Sequence, residues 1–156
     1  MRPRFTAAAG FFSAVLVLGA LILYVGETGR AQVVHTCSPT DRQFIDVAQL
    51  NMMSVSSTAE DYLRGAAKAG TVISTAQTSR ENVMHTHPED PSLLRTRTLL
   101  TAMFMEYSRA IKANEQHEDP GKHIYEAYSL ANFAHDVLAQ AEAPLRERGC
   151  DVSPLL

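Results

Sequence analysis

Apolar residues recur every three or four positions along most of the chain beyond residue 37, which is the period of an amphipathic helix. Four such stretches predict four helices, at 38–69, at 71–85, from 92 to the turn at 115–123, and at 122–147. Strands typically alternate β-branched apolar residues with polar ones, and this pattern is almost absent from the chain. The pattern therefore predicts an all-α fold.

Residues that favour helix ends mark several of these boundaries. Ser38 is a suitable N-cap, Pro39 suits the first helical position, and Asp41 could reach back to the cap backbone. Gly70 suits the position after the first helix, and Ser92 can cap the third. Pro144 is expected to kink the fourth helix or to end it early.

The two cysteines fit an antiparallel bundle of four helices. Cys37 directly precedes the first helix and Cys150 directly follows the last. With an even number of antiparallel helices, these two positions lie at the same pole of the bundle. We therefore expect a Cys37–Cys150 disulfide that closes an antiparallel four-helix bundle, with two free thiols as the alternative.

The N-terminal residues predict a membrane anchor. Residues 5–25 carry no charge, follow Arg2 and Arg4, and are long enough to span a bilayer as a helix. The positive flank should stay in the cytoplasm, which would place the C-terminal domain outside, in the periplasm or the extracellular space. A signal peptide cleaved after Ala31 is the alternative, and it would export the domain as well.

These signals predict the domain organisation. Residues 1–30 form a cytoplasmic stub and a transmembrane signal-anchor, 31–37 a linker, 38–150 the four-helix bundle, and 151–156 a C-terminal tail. The net charge is -3, so the domain has no reason to attract phosphate backbones, and nucleic acid is not an expected partner.

The first helix carries a resemblance. Its sequence FIDVAQLNMMSVSSTA, with Asp41, Phe44, Ile45 and Ala59, resembles the first helix of exported helical-bundle proteins known as a domain of unknown function. That family carries a pair of histidines linked to copper. The two histidine positions fall here on Asn51 and Met52. The resemblance implies an exported helical bundle, whereas the ligands that define its metal site are replaced.

Four residues are candidate metal ligands. The thioethers of Met52 and Met53 suit Cu(I), although methionine on an apolar helix face commonly fills a core. His85 and His87 form a His-x-His pair that could hold an ion with a third ligand, although both also suit a solvated loop. A haem held by Met52 and His135 is a further alternative.

No set of residues in the sequence argues for an enzyme. The chain has no Gly-rich phosphate loop, no nucleophile elbow and no His-Glu-x-x-His. The Glu-x-x-His of bundle di-iron sites is also absent, and the nearest pattern is the inverted His123-x-x-Glu126. We therefore expect a non-catalytic accessory or docking subunit, without a cofactor, in a larger respiratory or cell-envelope membrane complex. The alternative is an extracytoplasmic protein that binds or delivers copper.

Overall fold

The computed structural model describes residues 36–156, and this part of the chain is all-helical. It contains α1 (Pro39–Leu63), α2 (Ala69–Met84), α3 (Pro91–Glu115) and α4 (Gly121–Glu147), followed by a short 3-10 turn, Ser153–Leu155. The predicted all-α class and the four helices are confirmed for these residues. The predicted anchor at 5–25, the cleavage position after Ala31 and the linker up to residue 35 lie outside them.

Among residues 36–156, no helix combines the length and apolarity needed to cross a bilayer. All four helices carry many polar residues at their exposed positions. This finding concerns residues 36–156 alone and does not extend to the apolar run at 5–25.

The start of α1 was predicted correctly except for the role of Asp41. The Ser38 hydroxyl accepts a hydrogen bond from the Asp41 backbone N–H at 3.1 Å, and Pro39 occupies the first helical position. The Asp41 carboxylate does not turn back to the cap as predicted. Its Oδ1 accepts hydrogen bonds from the backbone N–H groups of Glu89 and Asp90, at 2.7 and 3.0 Å, in the loop before α3.

The prediction that Gly70 ends the first helix was wrong. The helix ends at Leu63, and Gly65 adopts a φ of +76°, a conformation that favours glycine because it has no Cβ. Leu63 is exposed, so the apolar stripe that continues in the sequence is no longer buried at this point. Gly70 instead lies in the first turn of α2.

The third helix differs from prediction at its start, whereas the fourth helix ends at Glu147 as predicted. Asp90, not Ser92, caps α3, since its Oδ1 accepts from the backbone N–H groups of Ser92 and Leu93 at 2.8 and 3.2 Å. Pro144 lies inside α4, which continues to Glu147. Both prolines, Pro91 and Pro144, are therefore accommodated within helices rather than ending them.

One pole of the bundle is tied together by covalent and polar links. The disulfide Cys37–Cys150 joins the start of α1 to the end of α4, with Cα atoms 4.9 Å apart, as predicted. At the same pole Asp41 holds the loop before α3, and the Arg148 guanidinium donates to the Asp90 carboxylate. At the other pole, the Asn114 amide donates to the Tyr62 hydroxyl at 3.1 Å, so α1 and α3 run in the same direction.

The helices pack in chain order, but the ring they form is open along one side. Within the described residues, no Cα of α1 lies within 8 Å of a Cα of α4. Near the disulfide, the gap between these two helices is filled by residues of the segment predicted as a C-terminal tail, 151–156. Leu155 of the 3-10 turn and Val152, which precedes the turn, are buried there, and the turn contacts both helices.

Candidate functional site

The gap between α1 and α4 continues as an apolar groove beyond the C-terminal turn. It has a volume of about 370 Å³ and a floor provided by α3. The lining side chains are apolar except for a serine hydroxyl and two tyrosines; the principal ones are Met52, Val55 and Ala59 of α1, Phe104 and Tyr107 of α3, and Ala127, Tyr128 and Ala131 of α4. We call this surface the α1/α4 groove.

The groove lies where α1 and α4 stay apart and where part of each wall is formed by alanine. Ala59 of α1 faces a wall that includes Ala127 and Ala131 of α4, and alanine side chains do not reach across the gap. The Cα atoms of α1 and α4 are more than 8 Å apart along the whole of both helices, although the disulfide links the residues that flank them. The result is an apolar concave surface open to solvent.

The rim of the groove exposes large apolar side chains. Tyr128 is 66% exposed and Ile124 is 55% exposed, although both line the groove. Tyr125, on the same helix, is 72% exposed but does not line it. Deeper in the groove, burial raises the pKa of Tyr107 above its usual value, and the neighbouring Tyr62 phenol adds to this effect. The phenol of Tyr107 is therefore neutral throughout the physiological range.

A second feature lies at the contact between α3 and α4, and its residues do not line the groove. The carboxylates of Glu106 and Glu126 and the imidazole of His123 each offer a donor atom, and these atoms all lie within 4.8 Å of one another. His123 Nδ1 and Glu106 Oε2 are 2.7 Å apart, and Arg109 donates to Glu106 Oε1 at 2.6 Å. The side chain of Glu106 is only 8% exposed. We call Glu106, His123 and Glu126 the carboxylate–histidine cluster.

Opposing effects set the pKa of Glu106. Burial of its carboxyl would raise the pKa, but the hydrogen bond with His123 and the positive charge of Arg109 outweigh burial, with a contribution from Glu126. The pKa of Glu106 is therefore lowered, and the group is an anion at neutral pH. The cluster thus presents a buried negative charge beside an imidazole.

The four predicted metal ligands do not form one group. His85 and His87 are exposed, in the loop between α2 and α3, and His85 Nδ1 lies 2.7 Å from the carbonyl oxygen of Glu81. This loop lies at the level of Asp41, and Met52 follows Asp41 by eleven residues, or about 16 Å along the helix axis. Met52 lines the α1/α4 groove, whereas the side chain of the adjacent Met53 is exposed.

Two further positions raised by the sequence have structural partners. Asn51, at one of the histidine positions of the resembling family, is buried, donates to the Val47 carbonyl at 2.7 Å, and accepts from Asn82 at 3.1 Å. Asn51 therefore joins α1 to α2. His135, suggested as a haem ligand with Met52, has an exposed side chain beside Asp136.

Sequence reasoning noted His123-x-x-Glu126 but missed Glu106. Glu106 is a single carboxylate within the otherwise apolar run at 103–107, at a position that helical periodicity would bury. A buried carboxylate needs a compensating partner, so its position was the available signal. The partner residues follow seventeen and twenty positions later, on another helix.

Comparisons with protein-family models, with curated proteins and with solved structures gave no match to this chain.

Proposed function

We propose that this protein is a non-catalytic docking subunit, anchored in the cytoplasmic membrane and facing outward, that holds a helix of a partner protein in its α1/α4 groove. The partner is a subunit of a larger membrane complex, of the respiratory chain or the cell envelope. The observation that carries the proposal is the open apolar seam between two helices of a bundle that is otherwise packed.

The shape of the groove fits an amphipathic helix better than a flat contact. Two helices form its walls and a third forms its floor, so a partner helix laid into it would contact all three. Recognition of this kind inserts apolar side chains spaced three and four residues apart into a hydrophobic groove. The volume of about 370 Å³ suits a short apolar stripe of such a helix.

The chain itself shows what chemistry fills this seam. Near the disulfide, the side chains of Val152 and Leu155 occupy the space between α1 and α4 and are almost completely buried. The groove is the same seam further along, lined by side chains of the same apolar character. Aliphatic side chains from a partner would therefore complete the packing that the C-terminal turn begins.

The residues around the groove are also those that protein interfaces favour. Tyrosine and methionine are enriched at the centres of interfaces relative to other surface, and Met52, Met103, Tyr107 and Tyr128 line this groove. Charged residues are absent from its described lining. An exposed apolar concavity of this composition is costly in water unless a partner covers it.

The compartment and the anchor are supported by separate observations. The disulfide is a bond that persists in oxidising, exported compartments and is rare in the cytoplasm. The uncharged run at 5–25 supports attachment to the membrane. Copper binding or delivery stays the alternative, although the two candidate pairs, Met52 with Met53 and His85 with His87, lie at different levels of the bundle and so do not share one ion. Docking is therefore the function that we propose.

The test uses two tyrosines of the same helix as a matched pair. The full chain, with Tyr128→Asp or Tyr125→Asp, is purified from its membrane in mild detergent and the co-purifying proteins are identified by mass spectrometry. Tyr128 lines the groove and Tyr125 does not, although both are exposed. A tyrosine anchor contributes about 2 kcal/mol or more to binding, which corresponds to a loss of about 30-fold in affinity.

The expected result is one membrane protein recovered with the wild type and with Tyr125→Asp, and lost with Tyr128→Asp. Equal recovery with both variants would contradict docking in the groove. Recovery of the chain alone, as a monomer or as a second copy bound to the first, would contradict the proposed partner.

A further inference from the structure

The carboxylate–histidine cluster has the ligand set of a metal site, and its residues do not line the α1/α4 groove. We propose that Glu106, His123 and Glu126 bind one divalent transition-metal ion, of which Zn²⁺ is the representative. The ion would join α3 to the first turns of α4. This inference does not depend on the proposed docking function.

The helices place the three groups correctly for chelation. His123 and Glu126 are three residues apart on α4, and such residues lie on the same face of a helix. Glu106 approaches that face from α3. One imidazole and two carboxylates, with water in the remaining position, are a ligand combination that zinc accepts. These nitrogen and oxygen donors favour Zn²⁺ or similar divalent ions over Cu(I), which prefers sulfur.

The distances require little movement to admit an ion. His123 Nδ1 and Glu106 Oε2 are now 2.7 Å apart, as a hydrogen-bonded pair. Two ligands at zinc's usual bond lengths are separated by about 3.0 to 3.4 Å. The pair therefore has to separate by less than about 1 Å, and the third donor already lies within 4.8 Å of both.

The charges of the cluster also favour a cation. Glu106 is buried and the carboxylate of Glu126 lies beside it, so two carboxylate groups share a small volume. Arg109 offsets one of them, but its own side chain is 52% exposed and can swing into solvent. Lys122 lies 3.9 Å from Glu126 and is more exposed still. A divalent ion would neutralise both carboxylates without the entropic cost of ordering these long side chains.

Zinc titration by calorimetry tests the site in the full chain, held in detergent and freed of metal by a chelator. His123→Gln and Glu126→Gln each remove one ligand, and Glu118→Gln is the matched control, since it removes the same charge from the exposed α3–α4 turn. Circular dichroism of each variant verifies that the helices are intact. A fourth variant, Arg109→Gln, removes the cation that occupies Glu106 Oε1.

We expect the wild type and Glu118→Gln to bind one equivalent of Zn²⁺ with a Kd of about 1 µM or below. His123→Gln and Glu126→Gln should each bind more than about 10-fold more weakly, and Arg109→Gln several-fold more tightly. The proposal is overturned if the two ligand variants bind zinc as the wild type does, if Arg109→Gln binds more weakly, or if the wild type binds no equivalent at micromolar zinc. None of these results bears on recovery of a docking partner.

Discussion

Removal of the Cys37–Cys150 disulfide should destabilise the helical domain strongly. The bond joins residues 113 positions apart, and so closes almost the whole described chain into one loop. The chain-entropy model gives about 4 to 5 kcal/mol for a loop of this length at 25 °C. Single domains of this size are stable by about 5–15 kcal/mol, so the loss is a large part of the total.

The assay is urea unfolding of the full chain in mild detergent, followed by circular dichroism of the helices. Cys37→Ala with Cys150→Ala is the suitable variant, because serine would place hydroxyl groups at two buried positions. For a slope near 2 kcal/mol per M, the midpoint should fall by about 2 M. The wild type treated with a reducing agent should shift by a similar amount, and the variant should not respond to reduction.

A loss below about 1 kcal/mol would refute the loop-closure reasoning. It would mean that the ends of α1 and α4 are held equally well by the surrounding contacts, among them the ion pair of Arg148 with Asp90. Two free thiols in protein isolated directly from cells, with thiol exchange blocked, would refute the pairing itself.

Three further predictions concern the same pole. Asp41→Ala should lower the free energy of unfolding by about 2–3 kcal/mol, because the buried Asp90 N–H loses its acceptor, and Asp41→Asn should cost clearly less; equal urea midpoints for the two would contradict this. Burial would raise the pKa of Asp90, but hydrogen bonds from Arg148 and from backbone N–H groups hold it below its usual 3.8. The ionised carboxylate of Asp90 therefore stabilises the fold above about pH 4, and this stabilisation is lost as the pH falls through the lowered pKa. Asp90→Asn should have a lower free energy of unfolding at pH 7 and lose less of it between pH 4 and pH 2. Parallel curves of stability against pH for the two proteins would contradict this. Leu155→Ala should cost about 2–5 kcal/mol in urea unfolding, since the side chain is buried between α1 and α4, whereas a free tail would give no change.

The helices and the disulfide could be predicted from the sequence, because both depend on the order and spacing of residues along the chain. Helical periodicity locates four amphipathic segments, and the even number of helices brings Cys37 and Cys150 to one pole. The ends of a helix were harder to predict where two nearby residues could each cap it. Gly65 and Gly70 both suit the end of α1, and Asp90 and Ser92 both suit the start of α3.

The candidate sites could not be predicted because they depend on how the helices are placed in space. The α1/α4 groove results from a separation of helices that no local pattern encodes, together with small residues that are ordinary in a helix core. The carboxylate–histidine cluster requires the register of α3 against α4, which brings Glu106 to His123. The burial of Val152 and Leu155 between α1 and α4 was not predicted, because a six-residue segment is too short to show a helical period.

Photo-crosslinking from inside the groove tests the docking proposal most directly. A photoreactive residue replaces Ala131, which lines the groove, or Ala139, which is exposed on the same helix and does not. The full chain is irradiated in intact cells and the linked peptide is sequenced. The account predicts that position 131, and not 139, links to an amphipathic helical segment of one other membrane protein. Links from 131 only to lipid, to a second copy or to residues of this chain would contradict it.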